Sequence, residues 1–445
     1  MKILYVVHNF PPQPSYGSEL YAYSLSQAMK ARHEVHVFYR VNRPERPEYD
    51  VENAEYKGLA IRTINNTFKE ARTFRDTYEN ATIAKAFGKC LDEIKPDLVH
   101  FHHVTCLSTT CISEAADRGL PVFYTLHDFW LLCPRGQLLR RDLSICGGPE
   151  PGMCAFCNAY QLGVPAEIAR ARYAKIPANL ASRGIRKWLA EIKKRAARNA
   201  FRGEADAAKQ AAQRLQHVME MCKRVDLFLS PSRFLKETME RLGLPGKIEC
   251  LDYGYDLARF AGFRRVVSGK VRFGYVGSLI PSKGVHILIE AFRRLKGLDA
   301  ELRIYGKGYN FEGYENYERD LHTLAGYDRR ISFMGPFDNT TVKDIFAEFD
   351  VLVVPSIWYE NAPLTIHEAI LTGTPVIASD LGGMAEYVQD GVNGLTFKMG
   401  DARDLARKME MFMKDHGLFT KLRPDPSQVR CIEATAADLE KYYLA

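Results

Sequence analysis

The chain has 445 residues, 46% of them hydrophobic and 26% charged, and a formal net charge of +7 at pH 7. That length provides two or three domains with their own cores, and the composition excludes wholesale disorder, collagen and coiled coil. No apolar run approaches the roughly 20 residues of a membrane-spanning helix, and the apolar start from Met1 to Val7 stops at His8, too short for the core of a signal peptide. A cytoplasmic protein is expected.

Lys2–Val7 is a continuous apolar run, as in a parallel strand covered on both faces. A loop rich in Pro and Gly follows from Phe10 to Gly17, then a helical pattern over Ser18–Met29. Glu34–Tyr39, Asp97–Phe101 and Val122–Leu126 read as strands, with a helix over Cys106–Asp117 between the last two. This alternation predicts a doubly wound α/β domain. Residues 165–222 read as a mostly helical interruption, and Arg264–Lys270 as a linker. The rhythm then restarts. Strands are predicted at Val271–Val276, Leu302–Tyr305, Ile331–Phe333, Val351–Val354 and Pro375–Ala378, with helices at Val285–Arg294, Thr341–Glu348 and Leu364–Leu371. The reading is two Rossmann-like domains, 1–263 and 264–425, and a C-terminal helix in 426–445 that packs back on the first domain.

The richest segment runs from Pro355 to Ala369 and includes Trp358, Glu360, Asn361, Ala362, Pro363, Leu364, Thr365 and Glu368. It follows a strand and opens a helix, so it lies at the carboxyl edge of a parallel sheet, where α/β domains bind ligands. Pro363 suits the first turn of that helix, because its missing N–H would go unpaired there anyway. Amides around Asn361–Thr365 would then suit a diphosphate. Glu368, a turn into the helix, suits ribose hydroxyls, and Glu360 suits hydroxyls beyond the phosphates. The alternative for the two glutamates is a solvated helix face. A second phosphate element follows the strand Val271–Val276, with Gly277, Ser278 and, in Pro281-Ser282-Lys283-Gly284, a lysine suited to phosphate as a point charge. Its alternative is a surface lysine on a loop.

Together with Gly373–Ser379 and Gly382-Gly383, the segment Pro355–Glu368 resembles the signature of the retaining glycosyltransferase family four, which has the GT-B fold. The loop containing Gly17, the run Pro96–His100, His127-Asp128, and Tyr253-Gly254-Tyr255-Asp256 with Phe260 fit the same resemblance. It implies two Rossmann-like domains facing across a cleft, the first binding the acceptor and the second a nucleoside-diphosphate sugar (UDP or GDP). Carried over, Glu360 contacts the donor sugar and Glu368 the ribose. Asn361 through Leu364 line the sugar and diphosphate, and Lys283 neutralises the leaving group. His127 faces the transferred sugar, and Gly17 and Ser18 lie near the donor phosphates or the acceptor. The chain departs from the pattern at Ser278, where the family often has Arg, at Ser18 in place of a second Gly, and at Tyr253 in place of Asn.

The resemblance implies transfer with retention of anomeric configuration. No Asp-x-Asp motif is present, which fits leaving-group stabilisation by Lys283 and the helix start without a cofactor for catalysis. No dedicated nucleophile stands out, so front-face displacement within an ion pair is expected. His127 either positions the sugar or is a neutral packed histidine. No Gly-x-Gly-x-x-Gly follows the first strand, which disfavours an NAD-dependent dehydrogenase. The expected acceptor is a polysaccharide or a lipid-linked glycan. A soluble acceptor, as for sucrose or trehalose synthases or a phosphorylase-like enzyme, and a non-catalytic nucleotide-sugar-binding protein are the alternatives.

Two segments lie outside the resemblance. Cys133, Cys146, Cys154 and Cys157 combine a C-x2-C pair with two further cysteines, which reads as structural zinc, an iron–sulfur cluster or unligated thiols. Between Gln161 and Arg224 there are 15 Lys or Arg against 5 Asp or Glu. Within it, Ile185, Trp188, Leu189 and Ile192 recur at helical spacing among basic residues. This is either a helix on the anionic inner face of the membrane or a packed helix with a solvated basic face. No recognition motif supports nucleic acid as a partner.

Overall fold

The computed structural model describes residues 1–158, 206–266, 268–295, 297 and 299–445. The predicted membrane-facing stretch from Ile185 to Arg198 falls outside the described residues.

In chain order the strands are β1 (Lys2–Val7), β2 (Glu34–Val41), β3 (Val51–Tyr56), β4 (Leu59–Asn65), β5 (Leu98–Phe101), β6 (Val122–Thr125), β7 (Leu227–Ser230), β8 (Ile248–Cys250), β9 (Val271–Val276), β10 (Ala300–Tyr305), β11 (Ile331–Gly335), β12 (Val351–Val354), β13 (Val376–Ser379) and β14 (Gly394–Phe397). They form two sheets, ordered β3-β4-β2-β1-β5-β6-β7-β8 and β11-β10-β9-β12-β13-β14. Every recorded pairing is parallel except β3 with β4. This is the doubly wound α/β architecture the sequence predicts, twice over.

The central strands β9, β12 and β13 are buried along their length and mostly apolar; Arg272 of β9 is buried in an ion pair with Asp350. β3 is an exception. Its sequence, Val-Glu-Asn-Ala-Glu-Tyr, has three exposed residues in a row, and it forms a polar antiparallel edge. Lys57 and Gly58, both at positive φ, make the two-residue turn that joins it to β4.

The chain divides into two compact units. One comprises Met1–Gln13, His33–Phe228 and Met239–Ile248, and the other Pro14–Arg32, Leu229–Thr238 and Glu249–Ala445. Three stretches of the first 263 residues therefore group with the second unit. One of them carries the helix Gly17–Met29, which packs on the C-terminal helix Ile432–Leu444. Gly254 makes that end close-packed, since a Cβ there would stand 2.5 Å from the Cα of Ile432.

The helix expected over Cys106–Asp117 begins later, at Thr110, and ends at Ala116. Cys106 has φ +59°, a left-handed conformation that a helix interior does not accept, and Leu107 turns back onto the carbonyl of Val104. The helix expected over Thr341–Glu348 is split into a 3-10 turn, Asn339–Thr341, and an α-helix, Val342–Ala347. Asp338 caps the turn by accepting the Thr340 amide.

Candidate active site

In the second unit β9 lies between β10 and β12, and chain order reverses there. The loops leaving the carboxyl ends of β9 and β12 thus flank the switch point, where open parallel sheets bind ligands. The first carries Gly277, Ser278 and Lys283; the second carries Glu360 to Thr365.

Backbone contacts join the loops. The amide of Ile357 donates to the carbonyl of Ser282 at 2.8 Å. Gly284 has φ +70°, and a Cβ on it would stand 1.9 Å from the carbonyl oxygen of Pro355. Only glycine meets both demands. Gly383 closes the other side: its amide donates to the Glu360 carbonyl at 2.7 Å, and a Cβ there would lie 2.0 Å from the Asn361 carbonyl oxygen.

Within this frame Lys283 and Glu360 meet. Nζ of Lys283 is 2.7 Å from Oε1 of Glu360, which also accepts from the Ser356 hydroxyl at 2.7 Å and the Trp358 indole N–H at 2.8 Å. The Lys283 ammonium lies 5.3 Å from the centre of the Trp358 ring. Glu360 is 5% exposed. All three donors fall on one oxygen, so the carboxylate is anchored by one atom. Lys283 comes from a 3-10 turn, Pro281–Lys283, which ends in the left-handed Gly284.

Pro363 stands one residue before the position expected for it. It is the N-cap of the helix Leu364–Leu371, with extended φ and ψ of −68° and 116°. Its carbonyl accepts the amides of Ile366 at 3.0 Å and His367 at 3.5 Å, so the helix itself makes no use of the amides of Leu364 and Thr365. These donors, with the positive end of the helix dipole, suit an anion. Glu368, one turn in, is 7% exposed, and burial pushes its carboxyl up to about 7 against a smaller opposing effect of Arg259. His367 beside it is buried against Tyr255 and Tyr387, at ring-centre distances of 4.8 and 4.3 Å, and hydrogen-bonds the Pro363 carbonyl through Nδ1.

The carbonyl of Ser278 accepts the hydroxyl of Tyr275 at 2.7 Å. The loop after β10 lies alongside: the Leu279 amide donates to the Lys307 carbonyl at 2.9 Å, and the Lys307 ammonium lies 5.3 Å from the Tyr309 ring centre. The sequence reading missed this second lysine, whose backbone meets Leu279 through the pairing order of β9 and β10. Gly17 and Ser18 open their helix beside the buried carboxylate of Glu19, which accepts the Tyr16 amide at 3.3 Å and the Ser18 hydroxyl at 3.1 Å. Tyr253 packs on Tyr21, with ring centres 4.2 Å apart.

His127 belongs to the first unit, just past β6 and partly exposed. Its Nε2 lies 3.1 Å from Nδ1 of His102, a partner that sequence spacing does not announce. The neighbouring Asp128 pairs with His103 at 3.3 Å and accepts the Trp130 amide at 2.8 Å.

All four cysteines of the segment Cys133–Cys157 are free of disulfides. Burial, reinforced by the neighbouring thiols, pushes Cys154 up to about 11, and burial raises Cys133 and Cys157 as well. Cys146 donates to the Gly148 carbonyl at 3.1 Å. Among the described residues no group of three or more His, Cys, Asp or Glu is arranged to hold a metal ion, and no helix is long and apolar enough to cross a membrane.

Two family profiles match the chain: one described as Glycosyltransferase Family 4 over residues 16–150, and one as Glycosyl transferases group 1 over residues 270–415. The chain is 37% identical over 153 residues to the lipopolysaccharide core biosynthesis glycosyltransferase LpsE of Rhizobium meliloti, covering 33% of this chain and 41% of that one. It is 30% identical over 212 residues to glycogen synthase of Mycobacterium tuberculosis, covering 46% and 50%. It thus spans half or less of the length of these relatives. Among solved structures, sucrose-phosphate synthase from Thermosynechococcus elongatus is similar with a TM-score of 0.68 at 18% identity, covering 100% of this chain and 98% of that one. HepE from Anabaena, in complex with UDP and glucose, has a TM-score of 0.64 at 16% identity and full coverage of both chains.

Proposed function

Since this chain belongs to glycosyltransferase family 4 and has its two-domain GT-B fold, we propose that it transfers a sugar, with retention, from a nucleoside-diphosphate donor to a polysaccharide or lipid-linked glycan. One juxtaposition carries this reading. Lys283 and Glu360 meet at the switch point, beside the unused amides that open the helix Leu364–Leu371.

In this mechanism negative charge grows on the departing diphosphate and positive character on the sugar. The amides of Leu364 and Thr365 and the Lys283 ammonium stabilise the first. Donor binding draws Lys283 from Glu360 toward phosphate and releases the carboxylate to accept sugar hydroxyls. Glu368 takes the ribose hydroxyls. Asn361, Ala362 and Pro363 shape the wall around the sugar, Gly277 and Ser278 the opposite wall, and Gly17 and Ser18 the phosphate or acceptor side. His127 orients the transferred sugar. The residues present supply charge stabilisation without a catalytic cofactor.

The acceptor reading draws support from the lipopolysaccharide and glycogen synthase relatives, and a soluble acceptor is the second reading. We place the protein in the cytoplasm, peripheral to an anionic membrane through the basic stretch within 165–222. The four cysteines form a structural zinc site in this proposal, and reaching it requires the thiols to draw together and ionise. Zinc near one per chain by elemental analysis supports that element; neither zinc nor iron removes it.

Turnover tests the core of the proposal. Release of nucleoside diphosphate from a panel of UDP-, GDP- and ADP-sugars is expected to fall at least 100-fold in Glu360→Ala and Lys283→Ala, with melting temperatures near the parent's. Normal turnover in both variants rejects the assignment.

A further inference from the structure

The carboxyl ends of β5 and β6 carry two short polar runs that meet rung by rung. His100 Nε2 is 2.7 Å from the Thr125 hydroxyl, His102 Nδ1 is 3.1 Å from His127 Nε2, and His103 Nε2 is 3.3 Å from Asp128 Oδ2. Each rung joins residues 25 apart in sequence, two residues beyond the parallel register of β5 with β6, in which His100 stands opposite Phe123. The middle rung ends on the histidine that the proposed mechanism assigns to the sugar.

Its inner member is held from all sides. His102 is fully buried. Its ring stacks on His100 with centres 4.7 Å apart and planes 4° from parallel, and Tyr5 flanks it at 5.3 Å. The His127 ring lies 5.4 Å away, tilted by 21°. His127 is partly exposed. A rigid, buried imidazole therefore hydrogen-bonds a more exposed one.

We propose that His102 is the positioning residue of His127, fixing the ring plane and tautomer in which His127 meets the sugar. The proposal rests on the reading of His127 given above. One hydrogen occupies the line from Nδ1 to Nε2. If His102 donates it, His127 carries its own hydrogen on Nδ1; if His102 accepts, His127 carries it on Nε2. Either arrangement selects one His127 tautomer, because a neutral imidazole has a single N–H. Burial, then the neighbouring His100, holds His102 well below the usual histidine range, so it remains neutral. The third rung steadies the same loop. The Thr105 amide donates to His103 Nδ1 at 3.0 Å, which leaves His103 Nε2–H to donate to Asp128. Positioning through a buried partner is how a flexible ring is kept ready for reaction without touching substrate.

Two variants and a spectroscopic readout test the idea. Asparagine places an amide near the Nδ1 position and can still bond His127; phenylalanine fills the space without a polar atom. With UDP-glucose or GDP-mannose, whichever the parent protein turns over, His102→Phe should lower kcat about 10- to 100-fold with little change in donor KM, and His102→Asn should recover most of it. Nitrogen-15 spectra of the imidazole rings should show His127 as one tautomer in the parent and in His102→Asn, and as a mixture in His102→Phe. If His102→Phe does not fold, His102→Asn and its spectrum still decide. Parent-like kcat in folded His102→Phe, or a mixed His127 tautomer in the parent, overturns the proposal. His127→Ala separates the two claims: normal turnover there rejects the role of His127, while the tautomer spectra still report on the pairing.

Discussion

Burial of the Glu368 carboxyl ties the stability of the folded chain to pH. The carboxyl titrates at about 7 in the folded chain instead of 4.5, because it is buried. Between pH 4.5 and 7 the folded state therefore holds more protons than the unfolded one, and its stability falls as pH rises through that window. Glu368→Gln removes the ionising group. It should raise the unliganded protein's stability at pH 8 by roughly 2–3 kcal/mol and change little at pH 4.5 or below, which thermal melts at the two pH values will show. In the proposed mechanism ribose hydroxyls donate to the ionised form, so nucleotide affinity in the parent should weaken below pH 7, by up to about tenfold per unit. In Glu368→Gln that pH dependence should vanish and binding should be weak throughout. Calorimetric titrations across pH 5.5 to 8 check both. A parent affinity flat over that range would mean the carboxyl does not meet the nucleotide.

The motifs at this site were readable in sequence because strand, loop and helix follow one another within a few residues. The run from Val351 through Glu368 places two carboxylates around a helix start with no long-range information. What sequence could not give is who meets whom. Lys283 and Glu360 are 77 residues apart, and only the adjacency of β9 and β12 brings them to 2.7 Å. His102 reaches His127 for the same kind of reason. β3 escaped notice because a polar edge strand lacks alternation, and Pro363 was displaced by one residue because an N-cap and a first turn both suit proline.

The junction of the loops after β9 and β12 depends on Gly284. Gly284→Ala forces a Cβ into the Pro355 carbonyl at a left-handed φ. It should cost about 2–4 kcal/mol and abolish nucleotide binding, whereas alanine at Gly17, which has open space around it, should be mild. Parallel melts of the two variants provide the comparison.

Over the whole molecule, two largely parallel sheets with the same reversal of strand order supply two switch points. The repetition explains why the fold class was legible from apolar runs such as β1, β9 and β12, while β4, β7, β8 and β14, which are short or carry polar residues, were not read as strands. The charge distribution was legible too, although its 15 basic residues lie partly outside the described chain. If this segment meets lipid, the protein should sediment with vesicles containing phosphatidylglycerol at low salt and release at about 0.5 M, where screening is strong. Equal recovery in the supernatant with and without vesicles would leave the basic face to solvent.

In the proposed mechanism a diphosphate is held between the turn bearing Lys283 and the start of the helix Leu364–Leu371. Isothermal titration with UDP, GDP and ADP, each matched by its nucleoside, tests it most directly. One diphosphate should bind at least tenfold more tightly than its nucleoside, and Lys283→Ala should erase most of that difference while leaving nucleoside binding intact. Equal affinity for nucleoside and diphosphate in the parent, or a Lys283→Ala variant that keeps the full diphosphate preference, would rule this diphosphate site out.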